Sequence, residues 1–321
     1  MLIFLKPRIA LVARLSARKQ ARRARPQNGR MRLTRWLLRA FVVLGLAGAL
    51  VDSRAGPAEL ALLYRASVDK QLAVPEEEVR RYAALTEAAF ARAGVAVAAA
   101  QYVVVVDRDP WVQALLLLWR SAGGDYALVG ASPVSTGRPG SFDHFETPLG
   151  VFEHGPANPD FRAEGTFNDN GIRGYGLRGM RVFDLGWQRV PKGWGDGATI
   201  EMRLQMHATD PDVLEQRLGT VQSKGCIRIP ASVNKLLDVH GVLDAEYERL
   251  AREGHRLWVL PEGRDVIADA GRYVVVVERG RSQRPEWSPG PTRARRAIAP
   301  ARPAAPAVPP KVPQPSWPIR R

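Results

Sequence analysis

The chain holds a single cysteine, Cys226, within Ser223-Lys224-Gly225-Cys226-Ile227-Arg228. A lone thiol has no disulfide partner in its own chain, and one cysteine excludes a multi-cysteine zinc or iron–sulfur centre. Its neighbours suit a nucleophile. Gly225 lets the backbone turn tightly and keeps bulk off the sulfur. Lys224 and Arg228 bring positive charge, which favours thiolate. The N–H groups of Gly225 and Cys226 are candidates to receive an oxyanion. A cysteine nucleophile needs a base, and histidine is the usual one near neutral pH. There are five: His144, His154, His207, His240 and His255. His207 ends a strand-like run and opens the polar turn His207-Ala208-Thr209-Asp210-Pro211, the kind of place where side chains are presented to ligands. A thiol–imidazole pair for acyl transfer is one reading. A buried cysteine beside a structural histidine is the other, and side-chain chemistry alone leaves both open.

Such a pair must be positioned by regular elements. Short runs rich in β-branched, aromatic or leucine residues, punctuated by Gly and Pro, predict strands at Tyr102–Asp107, Ala114–Trp119, Tyr126–Ser132, Gly150–His154, Arg181–Trp187 and Thr199–Met206. Two helices are expected near 231–240 and 243–253, then a final strand at His255–Leu260. Upstream, Pro75-Glu76-Glu77-Glu78 opens a helix with a proline in its first turn and acids at the positive end of the dipole, and Gly94 closes it. With 58–72 this predicts a small helical region. The expectation is a mainly β fold with flanking helices. Residues 163–180 hold five glycines and no periodicity and read as a long surface loop. Five tryptophans, Trp111, Trp119, Trp187, Trp194 and Trp258, are expected to pack, with Trp194 also a candidate to line a glycan- or peptide-binding groove.

The 321 residues carry a formal charge of +15, unevenly spread. Residues 1–30 hold 9 basic residues and no acid, 31–55 hold 4 against Asp52, and 279–321 hold 10 against Glu286. The stretch 56–278 has 24 basic and 30 acidic residues, so the body is mildly acidic. That argues against a nucleic-acid-binding core, which needs a basic face on the domain itself. From Met31, a candidate true start, the order Arg32, Arg35, Arg39, then the apolar run Ala40–Val51, then Ser53-Arg54-Ala55-Gly56 reads as a signal peptide with a cleavage site after Ala55. Uncleaved, it would be a membrane anchor. From Arg279 onward lie 11 of the 25 prolines, a composition that reads as a solvated tail. The expected segments are therefore 1–55 (basic N-terminus with signal peptide or anchor), 56–100 (helical), 101–262 (the strand-rich domain that holds Cys226 and His207), 263–278 (strand-like extension) and 279–321 (basic, Pro-rich disordered tail).

The segment Met206-His207-Ala208-Thr209, followed by Ser223-Lys224-Gly225-Cys226-Ile227-Arg228, resembles the signature of the L,D-transpeptidase catalytic domain family (YkuD-like). Upstream, Pro133-Val134-Ser135-Thr136-Gly137 is similar to that family's Val-Ser-x-Gly strand end. Thr147-Pro148-Leu149-Gly150-Val151-Phe152 is similar to its Thr-Pro-x-Gly-x-Phe element. The matches fall in the family's order and span Tyr102 to about Leu260, roughly half the chain.

The resemblance implies a β-sandwich-like domain and a role in peptidoglycan remodelling. It makes Cys226 the nucleophile and His207 the proton donor/acceptor, with the carbonyl of Ala208 orienting the imidazole. Arg228 would face a carboxylate or brace the loop, and Ser223 and Gly225 would support it. The substrates implied are peptidoglycan stem peptides, with a second stem, a lipoprotein amine or water as acceptor. No metal or other cofactor is implied. The location implied is the periplasm or cell envelope. Two positions depart from the pattern: Lys224 stands where many members have His, and Ala208 where Gly is frequent. A water-using L,D-carboxypeptidase and a catalytically degenerate wall-binding module are the alternatives, with nucleic-acid binding through the basic ends ranked last.

Overall fold

The computed structural model describes residues 56–291. The signal-like segment 1–55 and the stretch 292–321 lie outside the described residues. Among the described residues no helix is long and apolar enough to cross a membrane. The fold is mixed, mostly strands in two sheets with a few helices.

The helices come first: α1 (Pro57–Ser67) and α2 (Glu76–Arg92). Then follow β1 (Gln101–Asp107), β2 (Ala114–Arg120), β3 (Tyr126–Pro133), β4 (Gly150–Glu153), β5 (Phe161–Arg162), β6 (Arg181–Pro191), β7 (Thr199–Ala208) and β8 (Ile227–Ile229). Two more helices, α3 (Ala231–Val239) and α4 (Ala245–Arg252), precede the last strand, β9 (Tyr273–Val277). One sheet has the order β3-β2-β1-β9-β4 and the other β5-β6-β7-β8.

The sequence of β1, Gln-Tyr-Val-Val-Val-Val-Asp, does not alternate, because all seven residues are buried. A strand covered on both faces has no reason to carry polar side chains on either. Val104 and Val106, with Leu115, Leu117, Val274 and Val276, point into the larger core cluster, which also holds Phe183, Leu204, Met206, Ile227 and Ile229 of the second sheet. Val103 and Val105, with Leu116, Leu118, Val275 and Val277, face the other way onto Val79, Tyr82, Ala89 and Phe90 of α2. Helix α1 inserts Leu60 and Tyr64 into the larger cluster, and α3 adds Val233, Leu236 and Leu237.

Four sequence expectations need correction. His255–Leu260 is a turn closed by Leu260 N–H on the Leu257 carbonyl, with Trp258 70% exposed. The final strand is instead Tyr273–Val277. It is no extension at 263–278, for it lies inside the five-stranded sheet, parallel to β1 with Val103 opposite Tyr273 and Asp107 opposite Val277. The helices of 56–100 are not apart from the strand domain, since both supply its core clusters. The tail does not begin at 279. Ser288 is fully buried and Trp287 packs edge-on against Tyr82 with centroids 6.1 Å apart.

Candidate active site

Strands β7 and β8 run parallel, with Met206 opposite Ile227, His207 opposite Arg228 and Ala208 opposite Ile229. Side chains alternate across a strand. Leu204, Met206, Ile227 and Ile229 point into the core, so Arg203, Gln205 and His207 share the opposite face of β7. Cys226, one residue before Ile227, faces the same way together with Arg228. Extending the register by one residue sets Cys226 beside Gln205, which makes His207 its diagonal neighbour on one face. The sequence reading paired these two residues by type; in the fold they stand on neighbouring strands, Cys226 one residue ahead of the register that sets His207 opposite Arg228.

His207 is 4% exposed. Its Nδ1 lies 2.7 Å from the Ala208 carbonyl oxygen. A carbonyl only accepts, so Nδ1 carries the proton and Nε2 keeps the basic lone pair. Tyr175 stands edge-on to the imidazole at 4.7 Å between centroids, and its hydroxyl donates to Gln205 Oε1 at 3.1 Å. Burial lowers the His207 pKa to about 4; the Ala208 carbonyl opposes this and the Arg228 charge adds to it. The ring is neutral at pH 7.

The thiol donates to the Arg203 carbonyl at 3.8 Å. Burial pushes its pKa up, and the Gln205 backbone and the Arg228 guanidinium only partly pull it back. The expectation of a charge-stabilised thiolate is thus reversed. Lys224 spends its charge on Asp143, 2.7 Å away and exposed, and both the thiol and the imidazole rest neutral. Within the guanidinium of Arg228, Nε is buried with no hydrogen-bond partner among the described residues.

The loop carrying Cys226 is held by hydroxyls. Ser223 Oγ donates to the Cys226 carbonyl at 2.5 Å and accepts from Gly225 N–H at 3.0 Å. Thr147 Oγ1 donates to the Gly225 carbonyl at 2.7 Å and accepts from Gly137 N–H at 2.9 Å. The Thr136 carbonyl accepts both Gln222 N–H and Ser223 N–H at 3.0 Å. The segments Ser135–Gly137 and Thr147-Pro148 are therefore the cradle of this loop. Two glycines are steric necessities. A Cβ on Gly137 would sit 2.0 Å from the Phe145 carbonyl oxygen, and Gly225, at φ +136°, would place one 2.8 Å from Met202. Because Gly225 N–H is engaged by Ser223, only the Cys226 N–H of the expected oxyanion pair is left for a substrate oxygen.

Cys226 lines an open cleft of about 650 Å³ with Phe145, Trp187, Trp194, Met202 and Arg203. Trp194 packs edge-on to Phe142 and Phe145 at 5.5 and 5.0 Å. Trp187 is 60% exposed, with the Arg203 guanidinium 5.6 Å over its ring. Trp187, Trp258 and Trp111 are exposed rather than packed, contrary to expectation. Behind Tyr175 opens a second cavity of about 480 Å³, lined by Phe161, Glu164, Thr166 and Gly174. The glycine-rich loop 163–180 folds over the imidazole, tethered by Arg173 N–H on Asp210 at 2.8 Å and Arg173 Nη1 on Asp212 at 2.6 Å. Tyr175 and Gln205 escaped the sequence reading. The available signal was a lone tyrosine flanked by Gly174 and Gly176 in that loop. Of the other histidines, His144 lies on the rim with Nδ1 2.9 Å from the Phe142 carbonyl oxygen, and His154 is sealed in the core.

No protein-family model and no curated protein matches the chain. Among solved structures it is similar to the helical cell shape determining protein Pgp2 from Campylobacter jejuni, at 14% identity and a TM-score of 0.31. A point variant of Pgp2 gives 13% and 0.29. The likeness covers 73% of this chain and 58–59% of Pgp2, so the chain spans less than two thirds of that protein.

Proposed function

We propose that the chain is a cysteine-dependent L,D-transpeptidase acting on peptidoglycan stem peptides. One observation carries the reading: Cys226, at the wall of an open cleft, immediately precedes the strand that pairs with the one ending in His207, and the Ala208 carbonyl sets the imidazole tautomer. That arrangement is what a thiol needs to attack an acyl carbon. Sγ adds to the carbonyl carbon of the third stem residue as the thiol proton passes to His207 Nε2. The Cys226 N–H faces the developing oxyanion. The intermediate collapses, the bond to the terminal D-Ala nitrogen breaks, and that nitrogen takes the proton from His207. A thioester remains. A primary amine of a second stem then adds to it, gives a proton to Nε2, and expels the sulfur, which is reprotonated. Substrate of this kind lies in the cell envelope, which suits the signal-like run before residue 56.

The test is incubation of the purified protein with a tetrapeptide muropeptide, followed by mass spectrometry. A protein adduct of tripeptide mass and a crosslinked dimer are expected, both absent from Cys226→Ala. Free tripeptide without dimer would assign the L,D-carboxypeptidase reaction instead, with water as acceptor. Unchanged turnover by Cys226→Ala would remove the mechanism altogether.

A further inference from the structure

After β9 the chain runs as a strap, residues 278–291, over the turn between β1 and β2. Arg281 N–H donates to Asp109 at 2.6 Å and its guanidinium to Glu78 at 2.7 Å. Arg284 binds only carbonyls: Pro110 at 3.0 Å, Gly219 at 2.9 Å, Ser288 at 3.1 Å and Val112 at 3.5 Å. Ser288 Oγ closes on the Val112 carbonyl at 2.7 Å. The strap thus grips two segments, the turn 109–113 and the loop at Gly219.

Both segments lead to the nucleophile. Gln113, fully buried, has a left-handed backbone at φ +51°, a conformation a non-glycine residue keeps only where its surroundings over-determine it. Its Nε2 donates to Thr136 Oγ1 at 2.8 Å and its Oε1 accepts Thr136 N–H at 2.8 Å. The Thr136 carbonyl in turn holds Gln222 and Ser223, and Ser223 Oγ holds Gly225 and Cys226. Gly219 N–H donates to the Val134 carbonyl at 2.7 Å, and Val134 N–H to the Gln113 carbonyl at 2.9 Å. An unbroken run of hydrogen bonds therefore joins Arg284 to the cysteine loop through Gln113 and Thr136.

We propose that the strap belongs to the catalytic apparatus and that Arg284 and Gln113 are positioning residues for the Cys226 loop, a role that rests on Cys226 being the nucleophile. Without Arg284 the carbonyls of Pro110 and Gly219 return to water. The turn then loses the support that keeps Gln113 left-handed, and the Thr136 anchor loosens. Lysine, with three donors, can replace part of the grip.

The experiment compares full-length Arg284→Ala and Arg284→Lys with the parent protein. It follows the rate of Cys226 alkylation by iodoacetamide from pH 6 to pH 10, kcat and KM for D-Ala release from a tetrapeptide muropeptide, and the thermal midpoint. Arg284→Ala is expected to lower kcat roughly 10- to 100-fold with KM within about twofold, the scale of a nucleophile displaced by about 1 Å. Its alkylation profile is expected to move towards that of an ordinary exposed thiol, and Arg284→Lys to recover most of both. Alkylation by Arg284→Ala at the parent rate and pH profile would overturn the proposal. Should Arg284→Ala not fold, Ser288→Ala, which removes a single bond, takes the same measurements and decides by the same outcomes. A parent protein that released no D-Ala would sink the transpeptidase reading, yet the iodoacetamide profile would still decide for or against the strap.

Discussion

Burial governs the chemistry of His207 and Cys226 more than neighbouring charge does, and in opposite directions for the two groups. The imidazole is held at about 4 by desolvation, so it stays a base throughout the range in which a free histidine would be half protonated. Its titration, followed by NMR, should show a midpoint near that value. Tyr175→Ala, which uncovers the ring, should carry the midpoint up towards the ordinary 6.5; a midpoint unmoved by that change would mean the tyrosine is not what keeps water out. The linkage has a definite sign. Because the folded pKa is depressed, the unfolded chain takes up this proton first, and His207 costs the fold stability as pH falls from about 6.5 to about 4. For turnover, His207→Ala should lower kcat by about 10²–10⁴-fold, the usual worth of a placed base, measured as D-Ala release with Cys226 intact.

At the level of loops and strands, the cradle around residue 225 and the ionic clasp below β6 make different demands. The cradle tolerates no added atom. Gly137→Ala forces a methyl group into the Phe145 carbonyl, and a cost of about 1–3 kcal/mol should appear in urea unfolding together with a loss of turnover. The clasp centres on Arg181, which is fully buried and binds Asp244 through two nitrogens at 2.7 and 2.8 Å and Asp160 at 2.6 Å. It joins β6 to the start of α4. Arg181→Met would strip the shared cation from this buried cluster, leaving Asp244 only Arg264 and Asp160 only His154, and a loss of up to ~3–5 kcal/mol is expected. An unfolding free energy close to the parent's would show that the clasp does not support the fold.

Across the whole molecule, what could be read beforehand followed from local composition, and what could not depended on distant partners. The strands of 101–133 announce themselves because their apolar runs are unbroken. Cys226 and His207 stand out because few residue types do their work. The direction of the thiol pKa was not legible, since Lys224 and Arg228 are visible as letters and desolvation is not. Nor was the strap. Prolines and arginines there resemble a solvated tail, and it is the distant carbonyls of Pro110, Val112 and Gly219 that give Arg284 a reason to stay. His154 shows the same gap. Its Nδ1 meets the Leu243 carbonyl at 2.9 Å and its Nε2 meets Asp160 at 2.8 Å. Two acceptors favour the doubly protonated ring, and the pull of Asp160 outweighs burial to raise its pKa. A raised folded pKa gives stability that is complete below the ordinary 6.5 and is lost as pH rises through the folded value. Thermal midpoints measured from pH 5 to pH 9 should therefore fall on the alkaline side, and His154→Gln should flatten that fall.

The place of β9 sets a timetable for manufacture. Strands β1 and β4 share no edge until Tyr273–Val277 slides between them, so β4 cannot join the sheet that β1, β2 and β3 begin before residue 277 has been made. A nascent polypeptide halted short of Tyr273 should remain open to protease, and one extended past the strap should close.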